Sequence, residues 1–280
     1  MRSIVVLIAA LCAACACFAE TINFDNATPG AVPPGWTVAM THKGGAPKWE
    51  ILKDDSAPSK PNVLAQVSED ATGGRFPLAV YEKASVKDGT LSVKFKAISG
   101  GADQAAGLVW RYKDPDNYCI VRANALEDNV VLYKVEKGER ISLAPKGTPS
   151  KTYGVKHRVP KQTWSTLSVT FQGNVFTVSF DGQKLFDVED STFTAAGKVG
   201  LWTKADSVTY FDDFQIKASN PPAPCGDRSE SVRPFCASAP GPNPNRTAAQ
   251  VVLPSWRQTT LPVPFNSTAS WMIRRGARRR

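Results

Sequence analysis

Histidine is nearly absent, with His42 and His157 the only two in 280 residues. Neither has a neighbour at the spacing of a zinc ligand set, which excludes the usual zinc centres. Cysteine is scarce as well. Cys12, Cys15 and Cys17 lie close to the start, which leaves Cys119, Cys225 and Cys236 for the rest of the chain. Cys225 and Cys236 could pair in an oxidising compartment, but no disulfide framework surrounds them. Cys119 falls inside a strand pattern and reads as a small buried hydrophobe. The longest early apolar run, Ile4–Leu11, has eight residues, far short of the roughly 20 that a membrane helix needs. No other segment comes closer, so no transmembrane segment is expected. There is no G-x-S-x-G elbow for a serine nucleophile and no glycine-rich turn opening a helix to receive a phosphate.

What is present begins with a leader. Arg2 is followed by the short apolar run and then by small residues ending at Ala19. This is a signal peptide over 1–19, with Glu20 as the mature start, and it predicts a secreted or periplasmic protein. Lipid attachment is the weaker alternative, because none of Cys12, Cys15 and Cys17 has Leu three positions before it. The domain expected next covers 20–217, where 24 basic side chains face 23 acidic ones. The net charge of +9 therefore belongs to the ends, and a nucleic-acid-binding face on the body is not expected. Lysine disappears after Lys217, arginine replaces it, and ten of the 21 prolines fall in 218–280. That segment lacks an apolar face to offset its ordering entropy and is expected to be disordered. Translation of a GC-rich gene in another frame would give this composition. A basic tail that binds polyanions or a membrane surface is the alternative.

The body alternates at period two. Leu91, Val93, Phe95 and Ala97 share one face of a run whose other face carries Lys94 and Lys96. Thr166–Phe171 and Val175–Phe180 are joined through Gln172-Gly173-Asn174, and Asp181-Gly182 turns into Lys184–Val188. These are hairpin signals. Asp114–Asn117, Glu127–Asn129 and Lys137–Glu139 mark further turns. The fold class is all-β: a two-sheet antiparallel jelly-roll sandwich. Ile22–Asp25 and Tyr210–Phe214 are expected to be neighbours, as first and last strands often are in such folds.

Three blocks carry a resemblance: Ala106–Tyr112 running through Asp114–Tyr118, Val121–Glu127 and Asn129–Lys134; Trp164 with the alternation after it; and Gly197–Ser207 leading into Phe211–Phe214. Together they resemble the bacterial secreted 3-keto-disaccharide hydrolase domain family. That family is akin in fold to concanavalin-A-like lectins and glucanases, laminin-G domains and glycoside hydrolase family 16. The resemblance covers nearly all of Phe24–Ile216. It implies a concanavalin-A-like sandwich and chemistry on sugars.

A family 16 enzyme would need two carboxylates on one strand in the pattern E-x-D-x-x-E, about 5 Å apart for retention. The pattern is absent, so a classical two-carboxylate glycosidase is not expected. What remains is a sugar platform, with aromatic rings for stacking and polar groups for hydroxyls. The candidate carbohydrate-binding residues are Arg111, Arg122, Asn124, Tyr133, Trp202 and Lys204. With Arg111 in phase with Val109, and Arg122 and Asn124 in phase with Tyr118 and Ile120, the three polar residues point to one solvated face if their strands are neighbours in register. The alternative is a scaffold in which the aromatics are core and the arginines pair with Asp or Glu. Asp25, Asp212 and Asp213 are the candidate ligands of a structural Ca2+ where the first and last strands meet. The expected partner is an oligo- or polysaccharide. Three functions stay open at this point: an exported carbohydrate-binding domain, a hydrolase or lyase on 3-keto-glycosides served by Arg111, Arg122, Tyr133 and His157, and an envelope interaction protein.

Overall fold

A computed structural model describes residues 18–219, all within the contact unit Met1–Arg228. The leader up to residue 17 and the tail from residue 220 lie outside the described residues. The strands, in chain order, are β1 (Phe18–Ile22), β2 (Trp36–Thr41), β3 (Trp49–Lys53), β4 (Asn62–Gln66), β5 (Phe76–Val86) and β6 (Gly89–Ser99). There follow β7 (Ala105–Asp114), β8 (Asn117–Asn124), β9 (Asn129–Glu136), β10 (Glu139–Leu143) and β11 (Val155–Lys156). The chain closes with β12 (Ser165–Gln172), β13 (Val175–Phe180), β14 (Gln183–Glu189), β15 (Gly197–Trp202) and β16 (Val208–Ala218).

They form two sheets. The first has the order β14-β13-β12-β6-β16-β4-β3, with β1 also on β16, and the second has the order β10-β9-β8-β7-β15-β5-β2, with β11 on β9. All named strand pairs are antiparallel. The turn chemistry explains the hairpins. Asp181 and Gly182 have φ of 46° and 79°, and Asp and Gly tolerate this left-handed region best. The first and last strands pair as expected, Ile22 opposite Phe214.

Alternation sends one set of side chains between the sheets. Trp110 on β7 stacks on Phe171 of β12 at 5.9 Å and meets Phe176 of β13 edge-on at 5.3 Å. Trp36 on β2 lies 5.6 Å from Phe214 of β16. Each such buried ring contributes about 1.5–3 kcal/mol by removal from water. Cys119 is a fully buried free thiol in this layer.

The second sheet also buries its outer face. Phe76, Leu78, Val109, Tyr118, Ile120, Val131, Tyr133 and Trp202 form a separate apolar cluster there. Curling explains it. Strands β10 and β5 would stand roughly 24 Å apart in a flat sheet, far beyond an arginine's reach. Yet the Arg140 guanidinium, from β10, lies 4.8 Å from the Phe76 ring on β5. The far edge folds over to the same place. Thr41 Oγ1 donates to Pro115 O at 2.6 Å and lies 2.7 Å from Tyr118 Oη. The His42 ring nitrogens meet Gly74 O at 2.6 Å and Gly138 O at 2.7 Å. The outer face is therefore concave, and one corner of it is closed.

Candidate functional site

The polar end of this concave face is built on the β8–β9 hairpin. Asn124 pairs with Asn129 across it, and Arg122 with Val131, so Arg122, Asn124 and Asn129 share the outer face. Arg122 Nη2 donates to Glu127 Oε2 at 2.8 Å and to Asn129 Oδ1 at 2.8 Å, while Nη1 reaches Glu127 Oε1 at 3.3 Å. Asn124 Nδ2 donates to Asp103 Oδ1 at 2.6 Å and to Glu127 Oε1 at 3.2 Å. Lys204 is ion-paired with Asp103, and Arg122 lies 4.0 Å from the same carboxylate. Two basic and two acidic groups thus balance around two amides, Asn124 and Asn129. The Arg122 guanidinium also lies 5.7 Å from the Tyr133 ring and 5.9 Å from the Tyr153 ring, within cation–π range.

Burial within the network is graded. Arg122 and Asn124 are fully buried, so of the two arrangements the sequence leaves open they take the paired scaffold and not the solvated face. The Glu127 side chain is 38% exposed, and Tyr153 and Leu126 are exposed beside it. Burial alone would raise the Glu127 carboxyl. The hydrogen bond and charge of Arg122, with the Asn129 amide, outweigh that and hold it below the ordinary carboxylate value. Glu127 is therefore an anionic hydrogen-bond acceptor, suited to a sugar hydroxyl and unsuited to acting as a general acid.

The structure brings together Arg122, Asn124, Tyr133, Trp202 and Lys204 but not Arg111. A bulge interrupts the β7–β8 register between Trp110 and Asp114, and Arg111 has φ of 51°. The extra residue breaks the alternation. Arg111 consequently turns away from the concave face, bonds to the carbonyls of Gly173 and Phe193 and lies 5.2 Å from the Phe176 ring. It belongs to the scaffold. His157 is also elsewhere, packed edge-on against Phe180 at 4.7 Å. Sequence reading missed Asp103, Glu127, Asn129, Arg140 and Tyr153. Glu127 and Asn129 were recoverable, since the hairpin turn necessarily folds them back over Arg122. Asp103 sits in a loop with no pattern to mark it.

Of the three expected calcium ligands, Asp25 and Asp212 meet at Ser59 and Asp213 does not. Ser59 Oγ lies 2.8 Å from Asp212 Oδ1 and 3.1 Å from Asp25 Oδ1, and Ser59 N donates to Asp212 Oδ2 at 2.9 Å. Asp213 points elsewhere and pairs with Lys94 at 2.8 Å. Asn62 Nδ2 takes the carbonyls of Asp25 and Ala27 at 2.9 and 3.1 Å. Among the described residues, no three His, Cys, Asp or Glu side chains gather as metal ligands. Asp25 and Asp212 share the Ser59 hydroxyl as donor, and burial raises the Asp212 carboxyl above its usual value. A chelator is expected to leave the melting temperature unmoved. A fall of several degrees that added Ca2+ reverses would restore calcium to this corner.

A two-sheet antiparallel sandwich with one concave polar-aromatic face is the architecture of the concanavalin-A-like class. A family model described as a 3-keto-alpha-glucoside-1,2-lyase-like domain matches residues 29–217, and the chain belongs to that family. Solved structures share the fold. The carbohydrate binding module CBM66 from Bacillus subtilis superposes with a TM-score of 0.50 at 21% identity, over 66% of this chain and 96% of that one. Cellulose induced protein Cip1 does so with a TM-score of 0.50 at 13% identity, over 73% of this chain and 99% of that one. A search of curated proteins finds no match.

Proposed function

We propose that this domain binds saccharide at the open end of the concave face, as an exported protein released from its leader near Ala19. The observation that carries the reading is the neutralised network of Arg122, Asn124, Asp103, Glu127 and Lys204, set against the rings of Tyr133 and Tyr153. Sugars need that combination: fixed donors and acceptors for hydroxyls beside a flat apolar surface for C–H faces. The half-exposed Glu127 carboxylate is the acceptor at the mouth. Titration calorimetry against a panel of oligosaccharides tests it. Glu127→Gln is expected to weaken binding about ten-fold, since a hydrogen bond to a charged group is worth about 1.5–3 kcal/mol. An unchanged affinity would move the site elsewhere.

The family match favours a second reading, cleavage of 3-keto-glycosides. A keto group acidifies the neighbouring C–H. A base takes that proton to give the enolate. The enolate's electron pair then forms a carbon–carbon double bond as the adjacent C–O bond breaks, and the departing glycosidic oxygen takes a proton from water or from the protonated base. Glu127, held as the anion by Arg122, is the base available at this site. Incubation with a 3-keto-glucoside separates the readings: release of the aglycone by the parent but not by Glu127→Gln supports the enzyme, and binding without release supports the module.

A further inference from the structure

One cation on the concave face is left over. Arg122 is matched by Glu127, and Lys204 by Asp103. Arg140 has no ion pair and no side-chain hydrogen bond among the described residues, and its Nη1 is buried without an acceptor. Its guanidinium instead lies within a cage of rings, 4.5 Å from Tyr133, 4.8 Å from Phe76 and 6.0 Å from Trp202. Tyr133 and Trp202 are buried, and Arg140 itself is half-buried. Ring faces attract a guanidinium but supply no lone pair to its N–H groups. A desolvated N–H without an acceptor is costly, and more so when it carries charge.

The rings also fix the guanidinium in place. Arg140 sits on β10 opposite Val135, its arm crosses the curled sheet, and Phe76 and Trp202, themselves 5.3 Å apart, hold its far end. A planar fork of donors, immobilised and lacking a counter-ion, fits a group with two negatively charged oxygens. The Tyr133 ring links this fork to the proposed hydroxyl-binding network, because both Arg122 and Arg140 lie against it.

We infer that Arg140 is the receptor for an oxyanion carried by the saccharide, so that the site selects acidic sugars over neutral ones. The carboxylate of a uronic acid and a sulfate ester share this chemistry. The inference rests on the saccharide-binding reading and narrows its ligand class.

The experiment measures affinity of the mature protein for matched oligosaccharides: a uronide, its carboxyl-reduced neutral counterpart, and a sulfated neutral chain of the same length. An acidic ligand is expected to bind at least ten-fold tighter than the neutral one, with the advantage shrinking at high salt. The uronide and sulfated arms decide which oxyanion is taken. Arg140→Gln is expected to abolish the preference, bringing acidic-sugar affinity down to that for the neutral chain measured on the same variant, so that any change in ring packing cancels from the ratio. Arg140→Lys is expected to keep the charge but lose most of the gain, because an ammonium lacks the fork. Equal affinity for acidic and neutral ligands, or an acidic preference that survives Arg140→Gln, overturns the inference while leaving saccharide binding intact. Binding to none of the ligands overturns both.

Discussion

Arg122→Ala is expected to lower the stability of the folded domain by about 3–5 kcal/mol, read as a fall in the urea midpoint with the slope unchanged. The guanidinium is fully buried. It closes two bonds to Glu127 and one to Asn129. Its removal orphans the Asn129 oxygen and leaves Asp103 and Glu127 to share Lys204 and the Asn124 amide. Partial exposure lets Glu127 regain some water, which places the cost toward the lower end of that range. Arg122→Lys is not expected to rescue the loss, since one ammonium cannot reach both Glu127 oxygens and Asn129 in the same plane. A loss under about 1 kcal/mol would mean that the cluster is solvated, the other arrangement the sequence leaves open. A stability loss from Arg122→Ala therefore says nothing about ligand contact, and the functional tests above use Glu127 and Arg140.

The sandwich was legible because period-two alternation and turn chemistry act locally. The Asp181-Gly182 turn and the Leu91–Ala97 face were readable without knowing any partner. Strands β2 to β5 were harder. The segment β5 runs Phe-Pro-Leu-Ala-Val-Tyr with six consecutive buried residues, so the alternation that marks a half-exposed strand is missing. The second sheet buries both of its faces there because it curls, and curling is a property of the whole sheet. The same cause hid much of the site. Arg140, Phe76 and Trp202 are distant in sequence, and although Phe76 and Trp202 share the neighbouring strands β5 and β15, Arg140 stands on β10 at the opposite end of the sheet order. Only closure of the concave face brings them together. Arg111 failed for the opposite reason, since one bulge inverted a correct alternation. No residue type around Trp110–Asp114 announces that bulge.

Asp206→Ala is expected to cost about 1–3 kcal/mol and to weaken saccharide binding as well. The Asp206 carboxylate accepts the backbone N–H groups of Gly101 at 2.6 Å, Ala102 at 3.0 Å and Asp103 at 2.9 Å. These bonds fix the loop before β7. The loop is cramped: Gly100 has φ of 141°, and a Cβ there would stand 1.9 Å from Asp103 O. Each buried donor left unsatisfied costs about 1–3 kcal/mol. Asp103 is buried while Gly101 and Ala102 are exposed to water, so most of the cost falls on Asp103, and Asp103 carries the loop's contribution to the sugar network. The pH dependence distinguishes this account from simple packing. Burial would raise the Asp206 carboxyl, but the backbone donors prevail and hold it below its ordinary value. A carboxyl depressed by folding stabilises the native state above its unfolded-state pKa of about 3.9, and that stabilisation fades as pH falls through the lower folded-state value. The stability gap between the parent and Asp206→Asn is therefore expected to be full near neutrality and to narrow below about pH 4. A gap that stays constant into acid would show that the charge contributes nothing, and that the loop is held by shape alone.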